Sequence, residues 1–138
     1  SRKLHGWAAF AASILAMLAI GLAAGLGGAA LDPLSGSLGL AAIVGVNLTA
    51  MALAMVIFVW WWRGIDEAAR EAHKWAWWWG GSIGLALGGA IMLTVVLRGD
   101  ILATAAPARA FIFGIFILMM CQLAGYGVGW VAWWLHRR

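Results

Sequence analysis

Four long runs of apolar residues divide the chain. They cover residues 7–30, 38–62, 75–97 and 110–135, and none of them contains an Asp, Glu, Lys, Arg or His residue. An α-helix rises about 1.5 Å per residue, so about 20 apolar residues suffice to cross a hydrocarbon core that is about 30 Å thick. The pattern therefore predicts four transmembrane helices. The third is expected to start near residue 66, in the polar segment that precedes its apolar run.

Short connections join the four runs, at residues 31–37, 63–74 and 98–109. Helices joined by short loops pack as antiparallel neighbours. A transmembrane barrel would need short alternating strands, which this pattern lacks. The sequence therefore predicts an all-α integral membrane protein, a single-domain four-helix bundle with up-down-up-down topology.

Two of the loops contain residues that are typical of helix starts. Asp32 and Pro33 predict an N-cap and a first helical residue for the second helix, because aspartate accepts unpaired N–H bonds and proline has no N–H to satisfy. Thr104 and Pro107 are also typical of a helix start and predict one for the fourth helix.

Composition excludes several classes of protein. The chain of 138 residues is 65% apolar and 10% charged, and its mean hydropathy is +0.96. A soluble domain has about 25% charged residues, so a water-soluble enzyme and a disordered tail are both excluded. The net charge is +4, but the nine basic residues are spread over the chain ends and loops and form no nucleic-acid-binding patch. The lone Cys121 excludes an internal disulfide.

The distribution of basic residues predicts the orientation. Seven of the nine fall at the two chain ends and in the middle loop, and two fall in the loop between the third and fourth runs. The positive-inside rule then places both termini in the cytoplasm. Ten of the eleven tryptophans lie near the inner ends of the spans. Interfacial anchoring is the favoured interpretation of this belt, and a surface for a pigment, a lipid or a partner helix is the alternative.

Polar and small residues inside the spans are the candidates for contacts between helices. Asn47 and Gln122 lie near mid-span, where amides form interhelical hydrogen bonds; with Tyr126 they could instead line a solute path. Glycines recur at a spacing of four, which allows helix backbones to approach closely. The predicted packing or binding glycines are Gly80, Gly84, Gly88, Gly125 and Gly129, with Gly21 and Gly25 at the same spacing in the first run.

Three histidines, His5, His73 and His136, are placed by this topology at the cytoplasmic rim. A haem, a pigment or a metal could use them, but haem ligands in membranes face each other across a bundle, so solvated interfacial histidines are favoured. The sequence shows no catalytic triad, no phosphate-binding loop and no Cys–His zinc spacing. We therefore expect no catalytic residues, no metal and no cofactor.

The segment between the second and third runs has a distinctive charge pattern, Arg-x-x-Asp-Glu-x-x-Arg, formed by Arg63, Asp66, Glu67 and Arg70. The acids suit the first turn of a helix, and Asp66 and Arg70 have the favourable i,i+4 order. The segment is a candidate cytoplasmic docking surface. In a short chain with four spans, this pattern resembles a group of uncharacterised bacterial inner-membrane proteins. That resemblance implies a bacterial inner membrane and no assigned activity.

Together these features predict a non-enzymatic accessory or structural subunit. It would contact the lipid bilayer and pack against itself or a larger membrane complex through its glycine-rich helix faces. A transporter or channel for a small neutral or lipophilic solute is the alternative, and a haem- or pigment-binding redox protein is a second one.

Overall fold

The computed structural model describes residues 2–137, and within them the side chains of residues 6–100 and 102–137. The chain divides into two compact units, Ser1–Asp66 and Glu67–Arg138, which we call hairpin 1 and hairpin 2. The described residues contain four helices that are long and apolar enough to cross a membrane. The predicted all-α class is confirmed.

Hairpin 1 consists of helix α1, Arg2–Leu31, and helix α2, Gly36–Gly64. Both extend a few residues beyond their apolar runs. The two helices pack through small side chains. Ser13 is only 5% exposed and Ala50 6% exposed. The large apolar side chains point outward, as expected where the surroundings are lipid tails that are as apolar as leucine.

The turn between α1 and α2 differs from the sequence prediction. The Asp32 N–H donates to the Ala29 carbonyl, so Asp32 continues the end of α1. Helix α2 begins at Gly36, and Ser35, with an extended backbone, takes the N-cap position. The prediction of Asp32 and Pro33 as N-cap and first residue of α2 was therefore wrong, because both residues are used in the turn that closes α1.

Hairpin 2 is built from one continuous long helix that packs against a second one. Its elements are α3 (Glu67–Trp75), a π-helical segment (Ala76–Gly81), α4 (Ser82–Leu97), a short 3-10 helix (Gly99–Leu102) and α5 (Pro107–His136). The first three form the continuous helix α3–α4, which begins one residue after the predicted start. Pro107 lies in the first turn of α5, where its missing N–H costs nothing.

The π-helical segment keeps one row of small residues turned toward α5. Residues spaced by four drift by roughly 40° per step around an α-helix. A π turn contains more residues than an α turn, so it rotates such a row back. The resulting row of buried positions runs along α3–α4 from Ala72 to Gly88. It consists of Ala72, Ala76, Gly80, Gly84 and Gly88.

Candidate functional site

The predicted glycines of hairpin 2 meet at one helix–helix interface. A Cβ atom built on Gly80 would lie 2.2 Å from the carbonyl oxygen of Gly125, and one built on Gly84 would lie 2.2 Å from that of Cys121. One built on Gly129 would lie 3.2 Å from the Cα atom of Gly80. The backbones of α3–α4 and α5 are thus in direct contact, and no side chain fits between them.

Cys121 and Gly88 face each other across the same interface. A Cβ atom on Gly88 would lie 3.1 Å from the Cβ atom of Cys121, and the cysteine is half-buried. Cys121 packs there as a small apolar residue, which is how free cysteines usually behave in apolar surroundings. The glycine row of hairpin 2 is therefore occupied within the hairpin itself.

His73 and Tyr126 form an aromatic pair across this interface. Their rings stack with centroids 5.9 Å apart and an interplanar angle of 9°, and the Tyr126 hydroxyl shares a hydrogen bond with Nδ1 of His73. The ring of Trp77 contacts Tyr126 edge-on at 5.8 Å. The ring of Trp130 lies 6.4 Å from that of His73. Two residues that the sequence placed in separate candidate sites thus form one aromatic cluster.

A second set of aromatic contacts lies where hairpin 2 begins and ends. The rings of Trp75 and Trp133 have centroids 5.9 Å apart, and the Arg137 guanidinium lies 4.0 Å above the Trp133 ring. Next to Trp75, the Lys74 ammonium donates to the Glu71 carboxylate at 2.7 Å. We call this part of hairpin 2 its basic end. Arg137 makes a cation–π contact there with Trp133.

The two mid-span amides have different surroundings in their own hairpins. The Asn47 side chain is exposed on α2. Gln122 is half-buried on α5, and its Cγ atom would lie 3.8 Å from a Cβ atom on Gly81 of the facing helix. Gln122 therefore packs across hairpin 2, whereas Asn47 lies on an outer surface of hairpin 1.

Three hydroxyl groups within the spans bind to their own helices. Ser13 donates to the Ala9 carbonyl at 2.9 Å and Thr94 to the Ala90 carbonyl at 2.8 Å. The Thr49 hydroxyl likewise donates to the carbonyl of Gly45, one turn earlier in α2. Such bonds to the preceding turn satisfy a hydroxyl without a partner helix. These residues therefore provide no polar site.

The three histidines do not come together among the described side chains. The side chain of His5 lies outside the described residues. His73 binds Tyr126, and Nδ1 of His136 donates to the Ala132 carbonyl at 3.1 Å. Within the described part of the chain, no group of three or more His, Cys, Asp or Glu side chains could hold a metal ion.

The predicted docking segment is divided between the two units. Arg63 lies in the last turn of α2, and Asp66 ends hairpin 1. Glu67 is the first residue of α3 and Arg70 lies one turn further on, half-buried. The acid in the first turn of α3 fits the helix dipole, as the sequence indicated.

Sequence reasoning missed two features of hairpin 2. The first is the π-helical segment, which contains three tryptophans and two glycines from Trp77 to Gly81. The second is the pairing of His73 with Tyr126. Helical periodicity cannot show that pair, because the residues are 53 positions apart.

Replacing Tyr126 by phenylalanine tests the aromatic pair. The ring stacking is kept, but Nδ1 of His73 loses the phenol, and a half-buried polar atom that loses its partner costs about 1–2 kcal/mol. We expect Tyr126→Phe to lower the stability of the detergent-solubilised protein by that amount in thermal unfolding. The double variant His73→Leu/Tyr126→Phe removes both partners and should recover part of the loss. A single variant as stable as wild type would contradict the hydrogen bond.

The fold and these surfaces define an all-α protein with four membrane-length helices and a tryptophan-rich aromatic cluster. No protein-family model, curated protein or solved structure matches the chain.

Proposed function

We propose that this protein is a non-enzymatic structural or accessory subunit of the bacterial inner membrane. It associates with a second copy of itself, or with a larger membrane complex, through a glycine face of α1. It uses no cofactor. The observation that carries the proposal is the contrast between the glycine rows of the two hairpins.

The glycine face of α1 is open within its hairpin. Cβ atoms built on Gly21, Gly25 and Gly28 would meet no atom within 4 Å, whereas one on Gly27 would lie 3.5 Å from Val46 of α2. Successive residues are about 100° apart around a helix, so the open row lies beside the row that faces α2. Open glycines at this spacing allow the backbone of another helix to approach closely.

One further feature supports an association through hairpin 1. The Asn47 side chain is exposed on α2, and an amide in hydrocarbon gains from a polar partner on a neighbouring helix. In hairpin 2, by contrast, Tyr126 and Gln122 both contact the facing helix. That engagement favours a packing role for them over the lining of a solute path.

The orientation in the proposal rests on charge. Seven of the nine basic residues belong to the chain ends and the segment between the hairpins, so both termini are cytoplasmic by the positive-inside rule. The bacterial inner membrane is what the resemblance in the Arg63–Arg70 segment implies.

Replacing Gly25 by leucine tests the function. The new side chain has room within hairpin 1, and leucine is the better helix former, so the fold should persist. It would, however, block a partner backbone. Close backbone packing is what drives association at such a face, so we expect about a tenfold loss of association, which corresponds to about 1.4 kcal/mol. Two differently tagged copies, co-expressed and co-purified in mild detergent, measure self-association, and native-gel migration from source membranes measures a larger complex.

The matched control is Gly89→Leu, at a mid-span glycine of α4 whose added Cβ would also meet nothing within 4 Å. This variant should associate like wild type. Equal association of the Gly25→Leu and wild-type proteins, as copies and in native membranes, would rule out the α1 face and with it the proposed function.

A further inference from the structure

An apolar groove runs along one face of hairpin 2. It has a volume of about 790 Å³ and lies between α3–α4 and α5. Its floor consists of the small residues of the glycine interface, and large side chains of α3–α4 form one wall. That wall is the row Trp75, Trp79, Ile83 and Leu87, and Val128 of α5 stands opposite.

The dimensions of the groove match those of a bilayer. It extends from Trp75 to Thr94, which is about 28 Å of helix and close to the thickness of a hydrocarbon core. The half nearer the basic end therefore corresponds to one leaflet. The groove volume lies in the range of pockets that enclose small molecules.

The basic end provides charge at one mouth of this groove. Trp75 forms the wall there and contacts Trp133, which holds the Arg137 guanidinium at 4.0 Å. Lys74 adjoins Trp75 in the chain, and its side chain is 60% exposed. Its pairing with Glu71 is an exposed one, which is weak and leaves two of the three ammonium protons free to donate. Both cations are thus linked to the groove through Trp75, Lys74 as its neighbour in the chain and Arg137 through Trp133.

We propose that this groove binds an anionic phospholipid. One acyl chain lies between the Trp79–Leu87 wall and Val128, and the phosphate contacts Arg137 and Lys74. Basic pockets between transmembrane helices bind anionic head groups in this way. The site lies entirely in hairpin 2 and does not depend on the association proposed for α1.

A thin acyl chain fits the groove better than a helix does. The glycines of its floor are already in backbone contact with each other, so they offer no further close approach. The wall side chains are bulky and exposed, Trp79 by 55% and Leu87 by 61%. They would hold the backbone of a helix, which is about 10–12 Å wide with its side chains, away from the floor.

Lipid binding to the intact, detergent-purified protein tests the proposal by native mass spectrometry. The probes are phosphatidylglycerol and phosphatidylcholine with the same acyl chains. We expect wild type to prefer phosphatidylglycerol. Arg137→Gln and Lys74→Gln should each weaken that binding about fivefold, because each removes one basic contact with an anionic head group. Arg98→Gln, which removes the same charge from the opposite end of hairpin 2, should bind like wild type.

A second pair of variants tests the groove itself. Val128→Trp fills it, and Val128 is 71% exposed, so the helix packing is undisturbed. This variant should lose phosphatidylglycerol binding at least tenfold. Val131→Trp lies on the same helix outside the groove lining and is the matched control. Circular dichroism checks that both variants remain helical.

Three results would overturn the proposal. Equal binding of both lipids, unchanged by Arg137→Gln and Lys74→Gln, would show that no head group is selected. Unchanged phosphatidylglycerol binding in Val128→Trp would place the lipid elsewhere. A dimer that Val128→Trp dissociates, with lipid binding unaltered, would identify a second copy of the chain as the occupant.

Discussion

Gly84→Ala is expected to destabilise hairpin 2 by about 2 kcal/mol. The added Cβ atom would lie 2.2 Å from the carbonyl oxygen of Cys121 and 3.0 Å from the Cα atom of Gln122. Both are backbone atoms, so no side chain can rotate away, and α5 must shift. Overpacking of this kind costs about 3 kcal/mol, from which the better helix propensity of alanine recovers about 1 kcal/mol.

The unfolding free energy in mixed detergent micelles measures this effect. The control is Gly89→Ala, five residues further along the same helix, where the added Cβ atom meets nothing within 4 Å. That variant gains helix propensity without a clash, so it should be as stable as wild type or slightly more stable. If the two variants had the same stability, the backbone contact of α4 with α5 would not exist in solution.

The sequence was sufficient to predict the helices because membranes impose a simple rule. Each span must be about 20 residues long and free of charge, and the four runs meet that condition without ambiguity. The same rule says little about how the helices pack against each other. All faces of these helices are apolar, so hydrophobic periodicity cannot show which face of α5 meets α3–α4.

The spacing of small residues was more informative about helix contacts than the pattern of large apolar residues. The spacing of Gly80, Gly84 and Gly88 marked a close helix contact, and the structure brings these residues together with Gly125 and Gly129. Spacing could not show whether that face contacts the same chain or another one. That question needed the positions of both helices.

Local signals failed where a tertiary contact or a turn competes with them. Asp32 and Pro33 are good helix-start residues, but the N–H groups of Asp32 and Leu34 bind carbonyls at the end of α1, which moves the start of α2 to Gly36. The π-helical segment has no established sequence signature. It forms in hairpin 2, where a row of residues spaced by four stays against α5 from Ala72 to Gly88.

The turn of hairpin 1 is a second place where the backbone requires glycine. A Cβ atom on Gly39 would lie 2.0 Å from the carbonyl oxygen of Leu34 and 2.7 Å from its carbonyl carbon. The chain therefore passes directly over the first turn of α2. Gly36, at the start of that turn, has a φ of 73°, which side chains other than glycine rarely adopt. Together the two glycines allow the tight return from α1 to α2.

Gly39→Ala should consequently open this turn and cost about 1–3 kcal/mol, the range for an inserted methyl group without space. Because Leu34 lies in the loop, part of the clash can be relieved by moving the loop away from α2. The variant should therefore become sensitive to protease between residues 31 and 37 before its helices unfold. Gly45→Ala, at an open position of the same helix, should leave both stability and cleavage unchanged. A Gly39→Ala protein as resistant and as stable as this control would mean that the Leu34 carbonyl does not lie over α2.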